Sequence, residues 1–271
     1  VAYLEIHFYP EAIERLSRPL QEQGYHVLVF MASNSVNEAD EVMEELLDYQ
    51  VDGIIAASVG MSNDLTRRCE AAGIPIVLFN RTQDDARLSA VTSDNYQGGR
   101  KLADFLVAGG HTRSAHVAGW EGASTQRDRE AGFLAGLRDA GQTLFARGVS
   151  DFDFDKAKTV ARDMFAGPDR PDAVFCANDH MAFAVMDVLR FDLGLTVPSD
   201  VSVVGYDDVT LSDWPSYDLT TVRQPAGRLA QAAVDILMDR LNDPATKPRR
   251  VALDGPLILR RSARIPEGWT T

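Results

Sequence analysis

Residues 171–208 constrain the fold more than any other stretch of this chain. The stretch opens with an apolar run of strand length at residues 173–176 and closes with a second one at residues 201–205. Between the two runs, Asn178 can cap a helix whose apolar residues recur on one face, and a glycine and a proline follow that helix. Two buried strands joined by one helix form a crossover unit of a parallel sheet. The chain is therefore predicted to fold around parallel β-sheet.

Strand and helix signals alternate along the rest of the chain, which predicts an α/β fold in which helices cover parallel sheets. Further strands are predicted at residues 1–4, 25–30, 53–57, 75–79, 90–92, 114–118, 145–149, 251–253 and 257–259. Further helices are predicted at residues 10–24, 38–49, 64–72, 94–106, 128–140, 156–165 and 226–241. Pro19 falls inside the first of these helices and is expected to kink or shorten it.

The bulk composition excludes several classes of protein. The chain has 271 residues, enough for one large domain or two smaller ones, and its net charge of −13 makes it a poor ligand for DNA phosphates by itself. No apolar run approaches the ~18 residues of a membrane helix, and the first residues do not resemble a signal peptide. The two cysteines form no CxxC pair, and no His/Cys cluster has metal-ligand spacing. We expect a cytoplasmic protein without a metal or cofactor.

An enzyme is the less favoured interpretation of the polar residues. Asp94, Asp207 and Asp208 could supply a carboxylate pair for acid–base chemistry, as in a sugar hydrolase. The serines, however, have no histidine with the sequence signature of a base, and neither a Walker loop nor a GxGxxG after a strand is present. Solvated helix caps explain these aspartates better, so no catalytic residue is predicted.

A binding site explains the same residues more fully. Asp94, Asn178 and Asp207 follow strands in three different loops, and Arg129 opens a helix after a fourth strand. Short carboxylates and amides bind vicinal hydroxyls, while an arginine fork donates two parallel hydrogen bonds. Nearby aromatic residues that could cover the apolar face of a sugar ring are Phe8, Tyr9, Trp120, Phe152 and Phe154. The alternatives are that the aspartates and Asn178 only cap backbone and that Arg129 is a solvated charge on a helix surface.

Three motifs resemble a known family. AVFCANDHMAF at 173–183, VPSDVSVVGYDD at 197–208 and LTTVRQP at 219–225 are similar to motifs of the effector-binding domain of the lactose/galactose repressor (LacI/GalR) family, and the similarity extends from about Glu5 to Arg261. The resemblance implies two similar, doubly wound parallel-sheet lobes with a ligand cleft between them. The N-terminal lobe would comprise residues 1–110 and 223–248, and the C-terminal lobe residues 111–222 and 249–271.

The resemblance also implies roles for individual residues. The effector contacts of the family fall on Asp94 in TSDNYQGG, on Arg129 in REAGF, and on Asn178 and Asp207. Further positions that match the family's pocket are Gln224, which lies near the pocket or a crossover, Phe152, which stacks on the sugar in sugar-responsive members, and the aromatic pair Phe8 and Tyr9. The alternative for Phe152 is a core aromatic residue at the end of a strand.

The resemblance implies the effector-binding and dimerisation region of a transcriptional regulator, whose DNA-binding headpiece would precede the sequence given. The expected partners are a small sugar-like effector, a second copy of the chain, and operator DNA through the headpiece alone. The homodimer is expected to use apolar residues of the first two helices, namely Leu16, Leu20, Val42, Leu46 and Leu47. The alternative function is a periplasmic sugar-binding protein of a transporter, but LTTVRQP after the second motif favours the regulator.

Overall fold

The computed structural model describes Val1, residues 4–32, Val42, residues 49–59 and residues 62–270. The described helices are α1 (Phe8–Glu22), α2 (Asn63–Ala71), α3 (Asn95–Ala108), α4 (Ser124–Asp139), α5 (Phe154–Phe165), α6 (Asp179–Asp187) and α7 (Ala226–Asn242). The described strands are β1 (Ile54–Ala57), β2 (Ile76–Phe79), β3 (Ser89–Ser93), β4 (Ser114–Ala118), β5 (Ala146–Val149), β6 (Ala173–Cys176), β7 (Ser202–Asp207), β8 (Thr220–Arg223), β9 (Arg250–Leu253) and β10 (Leu257–Ile258).

The chain divides into two compact units. Unit 1 comprises Val1–Ser93 and Pro225–Leu253, and unit 2 comprises Asp94–Gln224 and Asp254–Thr271. The division differs from the one that the resemblance implies, because α3 packs with unit 2 instead of the N-terminal lobe. Asp94 is therefore the first residue of unit 2.

Unit 1 is built on a parallel sheet with the order β1-β2-β3-β9. The strands β2 and β3 are buried throughout, as expected for parallel strands that helices cover on both faces. The first helix, α1, runs through Pro19 to Glu22, so the proline does not shorten it. Leu16 and Leu20 on this helix are 7% and 8% exposed. They pack inside the unit and do not supply the exposed interface patch predicted for them.

The predicted strand at residues 25–30 is wrong. This segment forms no strand; Leu28 and Val29 are 55% and 48% exposed, and its described pairing is with Val1, whose amino group donates to the carbonyl oxygen of Phe30 at 3.0 Å. A strand needs a ladder of hydrogen bonds to a neighbour, and this single bond does not make one. The described residues leave out most of the helix predicted at residues 38–49, including Leu46 and Leu47. They also leave out residues 2–3 of the first predicted strand.

Unit 2 contains a larger sheet with the order β10-β8-β7-β6-β4-β5. Its strands are parallel except β10, which pairs antiparallel with β8. Residues 171–208 form the predicted crossover β6–α6–β7 at the centre of this sheet. Strand β8 was not predicted, because its two threonines give it little apolar signal. Since five neighbouring strands run the same way, their carboxyl ends meet along one edge of the sheet.

Helices α3 and α4 cover one face of this sheet and touch each other backbone to backbone. A Cβ atom on Gly132 of α4 would overlap the carbonyl oxygen of Tyr96, and a Cβ on Gly99 of α3 would overlap that of Arg129. Only glycine permits this approach. Beneath the two helices, Phe133 packs against Phe175 of β6 at 5.0 Å between ring centroids. The backbone contact between α3 and α4 explains why α3 belongs to unit 2.

Candidate functional site

Five predicted site residues gather at the carboxyl edge of the unit 2 sheet. Asn178 follows β6, Asp207 ends β7, Gln224 follows β8, and Phe152 lies just beyond β5. Arg129 comes from the second turn of α4 and contacts this edge through the carbonyl oxygen of Ala177 at 2.6 Å. In open α/β sheets, this is the edge at which ligands bind.

Arg129 is the centre of the cluster. Its side chain is 3% exposed, so the alternative of a solvated surface charge is wrong. The guanidinium donates from Nε to Asn95 Oδ1 at 2.9 Å and lies 3.5 Å from Asp207 Oδ1 through Nη2. The central carbon of the guanidinium, Cζ, lies 3.7 Å from the centroid of the Tyr206 ring, which is a close cation–π contact. Arginine is suited to such a site because its planar fork can stack and donate at the same time.

Asp207 faces Arg129 and is equally buried. Gln224 donates from Nε2 to its Oδ1 at 2.7 Å, which joins the ends of β7 and β8. Burial raises the pKa of this carboxyl to about 7, although Arg129 acts in the opposite direction, and nearby Asp179 raises it further. The backbone of Asp207 has a φ of 129°, a conformation that is rare outside glycine and is concentrated at functional sites.

A second buried aspartate fixes the turn that follows Asp207. Asp179 accepts hydrogen bonds from Ser212 Oγ at 2.6 Å, from Thr221 Oγ1 at 2.6 Å and from the backbone N–H of Val209 at 3.1 Å. Burial raises the pKa of Asp179 in spite of these donors. This aspartate was not singled out in the sequence, where it is simply the residue after Asn178. The site thus includes the carboxylate of Asp179, whose hydrogen bonds to other residues of unit 2 hold the turn in place.

Asn178 and Asp94 both cap helices. Asn178 Oδ1 accepts from the N–H of Met181 at 2.9 Å, and Asp94 Oδ1 accepts from the N–H of Gln97 at 3.1 Å. Asn178 is 3% exposed, whereas Asp94 is half-buried. Capping is therefore a real role of both residues, and their contact with a ligand stays a prediction.

Phe152 is 5% exposed and lies against the backbone just after β4, where a Cβ on Gly119 would overlap its ring. Its φ of 64° is unfavourable for a bulky side chain. Phe152 thus combines a strained backbone with a buried ring at the edge of the sheet. This fits a core aromatic residue at the end of a strand at least as well as an aromatic residue that stacks on a sugar.

Helix α4 is tied to the same edge by a buried polar chain. Gln126 accepts from the N–H of Gly119 at 2.7 Å and lies 3.0 Å from Nε2 of His116. The Nδ1 atom of His116 is 2.9 Å from the carbonyl oxygen of Phe175, and burial lowers the pKa of His116 to about 4. The neutral ring therefore donates from Nδ1 and accepts at Nε2. This series of hydrogen bonds fixes the helix turn that precedes Arg129.

Phe8 and Tyr9 lie in unit 1, where both are buried. Phe8 stacks on Phe79 with ring centroids 6.3 Å apart. The hydroxyl of Tyr9 is 2.5 Å from Ser58 Oγ and accepts from Asn80 Nδ2 at 3.0 Å. Ser58 and Asn80 directly follow β1 and β2, so this cluster marks the carboxyl edge of the unit 1 sheet. Ligand contact by Phe8 and Tyr9 stays a prediction.

Other kinds of site find little support in the described part of the chain. Among those residues, no three of His, Cys, Asp and Glu come together in a way that could hold a metal ion. No described helix has the length and apolar content needed to cross a membrane. Cys69 and Cys176 are free and buried, and burial raises the pKa of both thiols. Asp208 forms ion pairs with Arg223 at 2.6 Å and with Arg260 at 2.7 Å.

Comparison with known proteins identifies the family. Residues 103–263 match the family described as periplasmic binding protein-like domain. The chain is 29% identical over 261 residues to the ribose operon repressor of Escherichia coli strain K12, covering 94% of this chain and 78% of that protein. It is 31% identical over 261 residues to the transcriptional regulator CelR of Thermobifida fusca, covering 94% of this chain and 76% of that protein.

A solved structure, the complex of the transcriptional regulator CelR with cellobiose, superposes with a TM-score of 0.85 at 30% identity. The superposition covers 95% of this chain and 79% of the CelR chain. These relatives are transcriptional regulators, which supports the regulator over the transport protein considered from the sequence. The chain belongs to the LacI family of transcriptional regulators and comprises its periplasmic-binding-protein-like, effector-binding domain.

Proposed function

We propose that the carboxyl edge of the unit 2 sheet binds a small, neutral, polyhydroxylated effector, a sugar or sugar derivative, and catalyses no reaction. The observation that carries this proposal is the set of donors and acceptors left over by the protein. Arg129 has five N–H donors, of which Asn95, Ala177 and Asp207 take three. Two N–H groups therefore remain for a ligand.

The neighbours of Arg129 supply complementary groups. Among the described residues, none accepts from Nδ2 of Asn178 and none donates to Oδ2 of Asp207. A hydroxyl both donates and accepts, so a ligand with several hydroxyls can satisfy donors and an acceptor together. Above about pH 7, where Asp207 is ionised, Arg129 and Asp207 carry opposite charges, which favours a neutral ligand over an ionic one.

The named relatives point to the same class of ligand. One is called the repressor of a ribose operon, and the other is solved as a complex with cellobiose. Both names refer to sugars, although one is a pentose and the other a disaccharide. We therefore propose a sugar or sugar derivative as the class of ligand, and a screen is needed to identify the individual sugar.

The test is a thermal-shift screen of pentoses, hexoses, disaccharides and sugar acids, followed by calorimetry. A ligand at 100 times its dissociation constant should add about 2.7 kcal/mol to the free energy of unfolding. Arg129→Lys and Asp207→Asn should each weaken binding at least about tenfold, because a hydrogen bond to a charged group contributes ~1.5–3 kcal/mol. The matched control is Arg127→Lys, since Arg127 is exposed on the same helix. Equal affinity in all three variants would reject the site.

We propose further that the effector controls DNA binding through a helix-turn-helix segment outside the sequence given, by shifting the population of conformations. The net charge of −13 supports the view that this chain alone does not bind DNA. Regulators of this kind act where DNA is, so the proposed location is the cytoplasm. A gel shift with the promoter of its own gene is the test, and sequence-selective binding by this chain alone would contradict the proposal.

We also propose a homodimer. Leu28, Val29 and Met31 of unit 1 are each about half exposed, which leaves apolar surface that a second copy could cover. Sedimentation at tens of micromolar is the test, and a monomer at that concentration would contradict the dimer.

A further inference from the structure

Two adjacent glycines lie in the first two turns of α3. Glycine is unfavourable inside a helix, so a pair of them needs a reason. A Cβ on Gly98 would overlap the ring of Tyr206, and a Cβ on Gly99 would overlap the carbonyl oxygen of Arg129. Both clashes concern the same place, the backbone of Arg129 and the ring beneath its guanidinium.

The same turns of α3 also contact the side chain of Arg129. Asn95, at the first position of α3, accepts from Nε at 2.9 Å. Tyr206, which Gly98 accommodates, lies under the guanidinium at 3.7 Å. Asn95 and Tyr206 are 5% and 1% exposed, so water competes with neither contact. Helix α3 therefore acts on Arg129 at its backbone, at its Nε atom and, through Tyr206, at its face.

We infer that Asn95, Gly98, Gly99 and Tyr206 are positioning residues that hold Arg129 in its ligand-binding orientation before the ligand arrives. The inference rests on the proposed function in that Arg129 is taken to be the ligand's fork. A free arginine side chain has many rotamers, and ordering it on binding weakens affinity. In this structure, the protein has already ordered it. The two remaining N–H groups are thereby aimed in fixed directions, which selects ligands whose oxygens match that geometry.

The orientation of Arg129 can be measured without any ligand. A buried, hydrogen-bonded Nε–H exchanges slowly with water and gives an observable ¹⁵N–¹H signal, which Arg129→Lys identifies by its loss. Asn95→Ala removes the acceptor, and Tyr206→Leu removes the ring face. Each substitution should speed exchange of this Nε–H at least about tenfold, because that is the smallest effect expected when a charged group loses a contact.

Conservative variants separate positioning from general damage to the fold. Asn95→Asp keeps an acceptor oxygen and Tyr206→Phe keeps the ring, so both should restore slow exchange to within about twofold of the wild-type rate. Tyr96→Leu is the neighbouring control, because Tyr96 follows Asn95 on α3 and its side chain is 41% exposed. Slow exchange retained in Asn95→Ala and in Tyr206→Leu would overturn the inference, as would fast exchange in the wild-type protein.

A second readout uses ribose and cellobiose as probes in calorimetry. If either probe binds, Asn95→Ala and Tyr206→Leu should lose at least about tenfold in affinity, whereas Asn95→Asp and Tyr206→Phe should lose much less. Loss of slow exchange without loss of affinity would overturn the role in ligand binding. If no sugar of the screen binds while exchange behaves as expected, the orientation by α3 stands and the proposed sugar site fails, so the two failures are distinguishable.

Discussion

Gln224 donates from Nε2 to Oδ1 of Asp207 across 2.7 Å, and this bond joins the ends of two neighbouring strands inside the candidate site. It leaves Oδ2 of the carboxylate facing no donor among the described residues. A buried carboxylate with one satisfied oxygen is costly to ionise, and burial accordingly raises its pKa to about 7.

The raised pKa of Asp207 predicts a pH dependence of stability. Because the folded-state pKa exceeds the unfolded value of ~3.9, the folded protein binds more protons between about pH 4 and pH 7, and its free energy of unfolding falls as pH rises through that window. Asp207→Asn lacks this contribution. The free energy of unfolding of the wild type minus that of Asp207→Asn should decrease by up to about 4 kcal/mol from pH 4 to pH 7.5.

Urea denaturation of the two proteins across this range is the measurement, since all other titrating groups are shared and cancel in the difference. Parallel curves for the two proteins would show that the pKa of Asp207 is not raised in the folded state.

The close contact of α3 with α4 predicts a large cost for a single methyl group. Gly99→Ala places a Cβ on the carbonyl oxygen of Arg129, so the helices must separate. Overpacking of this kind costs roughly 1–3 kcal/mol in free energy of unfolding, and backbone atoms yield less readily than side chains. Gly167→Ala is the matched control, because nothing lies within 4 Å of the position its Cβ would take. Thermal denaturation of both variants is the measurement, and equal stability would contradict the contact.

The two roles of Asn178 can be separated by substitution. Asn178→Ala removes the cap of α6 and should lower the free energy of unfolding by about 1 kcal/mol. Serine also caps helices, so Asn178→Ser should recover most of that stability but still lacks the Nδ2 donor proposed for the ligand. Calorimetry with a sugar from the screen should therefore show weakened binding in both variants. Binding by Asn178→Ser at wild-type affinity would leave capping as the whole role of Asn178.

The sequence predicts the edge of the unit 2 sheet well because strand ends are local features. Asn178 and Asp207 directly follow apolar runs, and both lie at that edge. Strand β8 was missed for a physical reason: the hydroxyl of Thr221 is buried against Asp179 at 2.6 Å, so a polar residue occupies a core position. No apolar periodicity marks such a strand.

The supporting residues of the site were less predictable, because their roles depend on contacts between elements far apart in the chain. Asn95 is 34 residues from Arg129 in sequence, and nothing local assigns one to the other. The usable signal was the pair of glycines at 98 and 99, which indicates a close approach without naming the partner. In unit 1, the segment 25–30 had the composition of a strand, but the described residues give it no ladder of hydrogen bonds beyond the contact of Val1 with Phe30.

Asp94 offers the sharpest test of capping against ligand binding. Its carboxylate caps α3 at 3.1 Å and is half-buried, and its charge helps burial to raise the pKa of Asp128. Asp94→Asn keeps the capping oxygen and removes the charge, whereas Asp94→Ala removes both. We expect Asp94→Ala to lose about 1 kcal/mol in free energy of unfolding and Asp94→Asn to lose little.

If Asp94 also contacts the ligand through its charge, both variants should weaken sugar binding by about tenfold, although only Asp94→Ala is destabilised. The pKa of Asp128, followed by NMR, should fall in both variants and so confirms that the charge is gone. Calorimetry on the two variants then decides. Wild-type affinity in Asp94→Asn, with the pKa of Asp128 lowered, would make Asp94 a helix cap alone and remove it from the ligand site.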